Sequence, residues 1–276
     1  MGKITQTLLA LSGVASLASS AMATKPVQLQ TRIFGGKTVH FVRVSLDSDN
    51  VLVQPMLARG GVGSSETLAS MATRGAKVVL TGAFFDTRSL TPMGDIVIGK
   101  RLLHFGGRGA ALCLRRVKGG EGWVAGIRAN GGIDRHTNWG KSEIVLAGGI
   151  RLMAEGEVVV DPRGCGFSPL LEKPDPRAGV GILPNGDLIL AATKAPVSLT
   201  EWAQIFKAAG AVEALNYDGG SSTGLYVDGK ALVAPARKLT NALAVYVEQA
   251  PPVQKKATPD KKEVAVARIR RVARRT

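Results

Sequence analysis

Long apolar runs are missing from this chain of 276 residues. That excludes a bilayer-spanning helix, which needs roughly 20 consecutive apolar residues. Cysteine is scarce too. Cys113 and Cys165 are the only two, too few for a disulfide scaffold, although an oxidising compartment would permit one bridge if the fold brings them together. The three histidines, His40, His104 and His136, share no ligand spacing, and there is no Cys-x-x-Cys. A structural zinc site is therefore not expected, and the chain calls for no metal or cofactor. Aromatic residues make up only 5% of the chain. Of the tryptophans, Trp123 and Trp139 could stack on a sugar ring, whereas Trp202 falls on an apolar helix face and reads as core.

What the chain does contain is 45% hydrophobic residues and 34 glycines spread along its length. This is the composition of many short strands joined by tight turns. The class it implies is α+β: β-rich mixed sheets with few short helices, in a single domain over residues 24–250. Residues 1–23 read as a cleavable export leader. Lys3 precedes an apolar stretch of about ten residues, and Ala21-Met22-Ala23 follows as a small-residue cleavage site. The expected location is periplasmic or extracellular.

The net charge of +15 is unevenly placed. Residues 255–276 hold nine Lys or Arg against Asp260 and Glu263. Together with Pro251-Pro252 this implies a basic, disordered tail over 251–276. On an exported protein such a tail suits an anionic envelope surface and not nucleic acid.

Between leader and tail the punctuation is regular. Alternation from Val27 to Leu57, with a turn at Asp47-Ser48-Asp49-Asn50, predicts a hairpin. Ser64-Ser65-Glu66 opens a short helix with Leu68, Met71 and Ala72 on its apolar face, ended by Gly75. Lys77 to Leu80 is a strand that delivers Thr81-Gly82-Ala83-Phe84-Phe85-Asp86. Short strands continue to about residue 160. A proline-rich loop over 162–176 then leads into a hairpin around Asn185-Gly186. The best helix runs from Leu199 to Ala209, with Ser198 and Glu201 in capping-box spacing and Gly210 at its end. The strand Val212 to Tyr217 then runs into Asp218-Gly219-Gly220-Ser221-Ser222, and further strands Leu225–Val227, Leu232–Val233 and Ala242–Val247 close the domain.

The Asp218 segment is the sharpest chemical signal. Two glycines let successive N–H groups face one point, making an anion-binding concavity, and the serines add hydroxyl donors. An ordinary Asp-Gly hairpin turn would look similar. The segment Ala214 to Thr223 resembles the A-L-N-[LY]-D-G-G-x-S-S-T signature of the phosphodiester glycosidase family, here without the residue that precedes the serines. Phe84-Phe85-Asp86 resembles its N-G-G-F-F-D segment, with Thr81 and Ala83 where Asn and Gly are usual. Arg177 to Gly181, the helix start Ser198-Leu199-Thr200-Glu201, and Arg237 to Leu243 resemble further motifs in the family's order.

The resemblance implies hydrolysis of a sugar-1-phosphodiester, with a phosphorylated glycan of the envelope or extracellular space as substrate. A phosphomonoester is a far better leaving group than an alcohol, so one carboxylate with cations and N–H donors on the phosphate could suffice. Asp218 is the first candidate for that carboxylate and Asp86 the second. Gly219, Gly220, Ser221 and Ser222 form the phosphate cradle. Arg177 is the preferred phosphate clamp, Arg237 the reserve, and Asn216 orients a sugar hydroxyl or holds the turn. Glu201 is explained by its cap. Two rival readings are a metal-dependent phosphodiesterase using Asp86 and Asp218, and a non-catalytic binder of anionic envelope glycans.

Overall fold

The computed structural model describes residues 25–47, 49–128 and 139–248. The expected leader and basic tail lie outside the described residues. In chain order the elements are β1 (Val27–Phe34), β2 (Lys37–Val44), β3 (Val51–Leu57), α1 (Leu68–Ala72), β4 (Val78–Thr81), β5 (Ile96–Ile98), β6 (Arg101–His104), β7 (Ala110–Arg116), β8 (Trp123–Arg128) and β9 (Ile144–Ala154). There follow β10 (Glu157–Val158), β11 (Asp175–Ile182), β12 (Leu188–Val197), α2 (Leu199–Ala208), β13 (Glu213–Asn216), β14 (Leu225–Val227), β15 (Lys230–Val233) and β16 (Asn241–Val247).

The strands form two sheets. The larger follows the order β1-β2-β12-β11-β13-β9-β5-β6, with β10 beside β9 and the β7–β8 pair joined to β9. The smaller runs β15-β14-β4-β16-β3. Inward residues of both, among them Val42, Val53, Leu80, Leu146, Val180 and Leu243, interdigitate as a common core. α2 covers the outer face of the larger sheet through Leu199, Trp202, Ala203 and Phe206. α1 covers the outer face of the smaller one through Leu68, Met71 and Ala72.

This is the β-rich α+β class the composition implies. Every described ladder is antiparallel, where mixed sheets were expected. Short connections between sequential strands favour this pairing, since a parallel pair needs a long crossover.

Two local expectations change. The hairpin turns at Gly35-Gly36, both at positive φ, and not at Asp47–Asn50. After β2 the next strand lies in the second sheet, where β3 pairs with β16. α1 begins at Thr67, whose side chain accepts from Ser70 N, while the Ser64 hydroxyl donates to the Gly61 carbonyl. α2 is as its sequence indicates: Ser198 accepts from Glu201 N, and Gly210 takes φ +91.

Both cysteines are free thiols, Cys113 inside a small cluster with Trp139 and Val145 and Cys165 half-buried. Burial pushes the Cys113 thiol up to about 11. All three tryptophans are buried. Trp123 Nε1 donates to the Val51 carbonyl and Trp139 Nε1 to Asp95 Oδ2, so neither offers a face for sugar stacking.

Candidate active site

The chain crosses a second time from the larger to the smaller sheet through the Asp218 segment, between β13 and β14. Both sheets hold it. Tyr217 N donates to the Ala178 carbonyl of β11, and Asp218 N donates to the Gly82 carbonyl at the exit of β4 (3.0 Å). The Thr81 hydroxyl donates to the Ser222 carbonyl at 2.6 Å. Thr81 thus fastens the turn through its hydroxyl. Asn241, at the start of β16, clasps Ala83 in both directions: Ala83 N donates to Oδ1 at 2.7 Å and Nδ2 donates to the Ala83 carbonyl at 3.2 Å. A Cβ on Gly82 would overlap that Oδ1, which requires glycine there. Three motifs far apart in the chain are therefore brought together by named bonds.

Within the turn, Gly220 to Ser222 form a single 3-10 turn. Ser222 N donates to the Gly219 carbonyl, Thr223 N to the Gly220 carbonyl, and Gly219 N to Asp218 Oδ1 at 3.0 Å. The anion cradle is consequently narrower than the four-residue nest expected. The N–H groups of Gly220 and Ser221 are the ones left without a bond among the described residues. Ser221 is exposed and Ser222 buried. Both glycines are favoured by the backbone. A Cβ on Gly219 would meet the Pro176 carbonyl at 2.7 Å. Gly220 has φ +57, a conformation that other residues rarely adopt, while a Cβ there would displace only the Asp175 carboxylate, whose Oδ2 is 2.7 Å away.

Asp218 is half-buried at the centre of this arrangement, and desolvation pushes its carboxyl up to about 6. The Ser222 hydroxyl, Arg237 and Gly219 N–H pull the other way, while nearby Asp175 adds to the rise. Ser222 Oγ lies outside hydrogen-bond geometry but close enough to favour the ionised acid. An acid held near 6 can change protonation at ordinary pH, which acid–base chemistry requires.

The two candidate arginines differ. Arg177 is 2% exposed; its Nε donates to the Val197 carbonyl and its Nη2 to the carbonyls of Leu171 (2.7 Å) and Lys173 (2.5 Å). These bonds tie the proline-rich loop to β11 and β12, and the Nη1 side lies 3.8 Å from a Cβ position on Gly219. Burial lowers its pKa, partly offset by Asp175 and Glu172. Arg237 is half-exposed, lies over the Phe85 ring at 4.4 Å from the centroid, and acts electrostatically on Asp218.

Asp86 stands two residues beyond Phe84, whose ring packs on Phe167 of the proline-rich loop at 4.9 Å. The carboxylate of Asp86 is exposed, and its Oδ1 accepts from Arg88 N (2.9 Å), Ser89 N (2.8 Å) and Ser89 Oγ (3.1 Å). Those bonds, with Ser89 N the largest, hold its pKa below the usual value. Asn216 is buried and directs Nδ2 to the Tyr217 carbonyl at 2.6 Å, joining the strand end to the turn. Glu201 pairs with Lys37. Sequence reasoning passed over Asp175 altogether. The only signal for it was its place beside Arg177, in Pro174-Asp175-Pro176.

Solved structures share this architecture. A hypothetical protein from Synechocystis superposes with a TM-score of 0.63 at 19% identity, over 80% of this chain and 62% of that one. The catalytic domain of zebrafish N-acetylglucosamine-1-phosphodiester alpha-N-acetylglucosaminidase, auto-inhibited by its pro-peptide, gives 0.64 at 20% identity, over 82% and 85%. A Burkholderia pseudomallei protein provisionally named as exported gives 0.54 at 14% identity, over 76% and 74%. No curated protein matches. The chain thus spans about 62% of the Synechocystis protein's length, and at these identities the likenesses show the fold. The family is shown by the phosphodiester glycosidase model, which matches residues 74–246. The chain belongs to that family.

Proposed function

We propose that this protein hydrolyses a sugar-1-phosphodiester at the bond between the anomeric carbon and oxygen, releasing the sugar from a phosphorylated envelope or extracellular glycan. Asp218 is the reacting carboxylate. Arg237 and the N–H groups of Gly220 and Ser221 receive the phosphate, and Arg177 braces the loop that shapes the pocket. Asp86 shapes the rim, because its Oδ1 already accepts three bonds. The reading includes export, an approach to anionic envelope material through residues 255–276, and a folded unit over 24–250 between leader and tail.

The observation that carries this reading is Asp218 itself: an acid raised to about 6, set beside an arginine at a glycine-lined turn with two unengaged N–H groups. Donors aimed where negative charge develops stabilise a departing phosphate without reorganisation. The test is hydrolysis in ¹⁸O-water of a panel of sugar-1-phosphodiesters. The label should appear on the sugar carbon. Label in the phosphate would mean P–O cleavage and would remove the reading, as would the absence of released sugar across the panel.

A further inference from the structure

Asp175 opens β11 beside the Asp218 turn, and its charge favours the buried Arg177 cation. Asp95 accepts from Gly106 N, Gly107 N and Trp139 Nε1, and Glu201 pairs with Lys37; Glu172 Oε1 accepts from Thr200, while its buried Oε2 has no hydrogen bond. The Asp175 carboxylate is exposed and has no hydrogen bond or ion pair among the described residues. The β11–β12 ladder is irregular between Asp175 and Arg177, and such a bulge re-aims a side chain. The carboxylate lies over Gly220, with Oδ2 2.7 Å from where a Cβ would stand.

We propose that Asp175 is the second carboxylate of the reaction. It takes a proton from the attacking water while Asp218 gives a proton to the departing phosphate oxygen. The water oxygen bonds to the anomeric carbon, and the carbon–oxygen bond to phosphate breaks with its electron pair on that oxygen. Both protons are thereby accounted for, and the anomeric configuration inverts.

Two acids in one site divide their roles by environment: Asp218 is half-buried and desolvated, whereas Asp175 is exposed. The charged groups facing them are Arg237, from the loop before β16, and Arg177 with Glu172 behind it. The proposal rests on the glycosidase reading above.

Its test uses the full chain with benzyl phosphodiesters of α-glucose 1-phosphate and of α-N-acetylglucosamine 1-phosphate. Asp175→Asn should lower kcat by about 100-fold or more, the usual loss for a missing acid–base group, with KM within about threefold. Proton NMR of the first product should show the β anomer. Azide should restore turnover to Asp175→Ala as the β-glycosyl azide. Retention of configuration, or kcat of Asp175→Asn within about threefold of wild type, would overturn the proposal.

A carboxyl carbon NMR titration without substrate should show the Asp218 pKa falling in Asp175→Asn, because one negative neighbour has gone. An unmoved value while hydrolysis persists removes Asp175 alone. A wild type that cleaves neither ester although the two acids remain coupled removes the glycosidase reading, and the base role with it.

Discussion

Asp86 and Asp218 both follow the exit of a buried strand and both begin a turn, yet the two carboxylates are in opposite condition. Asp86 is exposed, and its Oδ1 is satisfied by two backbone N–H groups and a hydroxyl of its own loop, which hold its proton affinity down. Asp218 is half-buried, has one N–H at 3.0 Å, and is held up to about 6 by desolvation. A carboxylate closed on its own loop stabilises that loop, whereas one left wanting a partner remains available to a ligand.

The contrast is most sharply broken at Asp218. Asp218→Asn should lose about 1,000-fold or more in kcat, read as released reducing sugar, while still binding substrate. The same variant should be more stable at pH 7. The folded carboxyl binds its proton more tightly than the unfolded one, whose value is near 3.8, so stability falls as pH rises from about 4 to about 6. Removing the charge should recover up to about 3 kcal/mol, measured by urea denaturation at pH 7.

Gly220→Ala comes next, because it meets both the positive φ and the Asp175 carboxylate. It should lower kcat/KM about 100-fold and cost about 1–3 kcal/mol, read by kinetics and thermal melting. Arg237→Gln should lower kcat/KM about 10- to 100-fold by weakening the hold on phosphate. It should also raise the pH of the kinetic limb belonging to Asp218, since a cation that favours the ionised acid is lost.

The smallest effect is expected at Asp86. Asp86→Asn should leave kcat/KM within about fivefold, far below a lost acid–base group. Its contribution to stability should be present above about pH 4 and disappear as pH falls through its lowered folded value, seen as convergence of the two melting curves in acid.

Much of the fold was legible because strong local rules agreed with it. Ser198, Glu201 and Gly210 mark α2, and Asn185-Gly186 marks the β11–β12 turn, where Gly186 takes φ +88. The β2–β3 connection was misplaced because alternation reports burial of one face but not which sheet supplies it. Gly35-Gly36, the real turn, was hidden inside the alternating run.

At the site the Asp218 turn was legible from its glycines, while the ranking of the arginines was not. Arg177 and Arg237 look equivalent as letters. Only packing shows that one guanidinium is engaged by three carbonyls and the other faces the acid. Asp175 was illegible for the same reason, since its approach to Gly220 joins two segments far apart in the chain, which spacing does not report.

The Asp218 turn is also a seam between the two sheets, stitched on one side to Ala178 and on the other to Thr81 and Gly82. Neither half of the sandwich holds the whole candidate site. Warming that merely loosens their mutual docking would silence the protein while most of its strands remain paired, so loss of turnover should precede loss of the far-ultraviolet dichroism signal. A ligand bridging the seam would act as a rivet, delaying both.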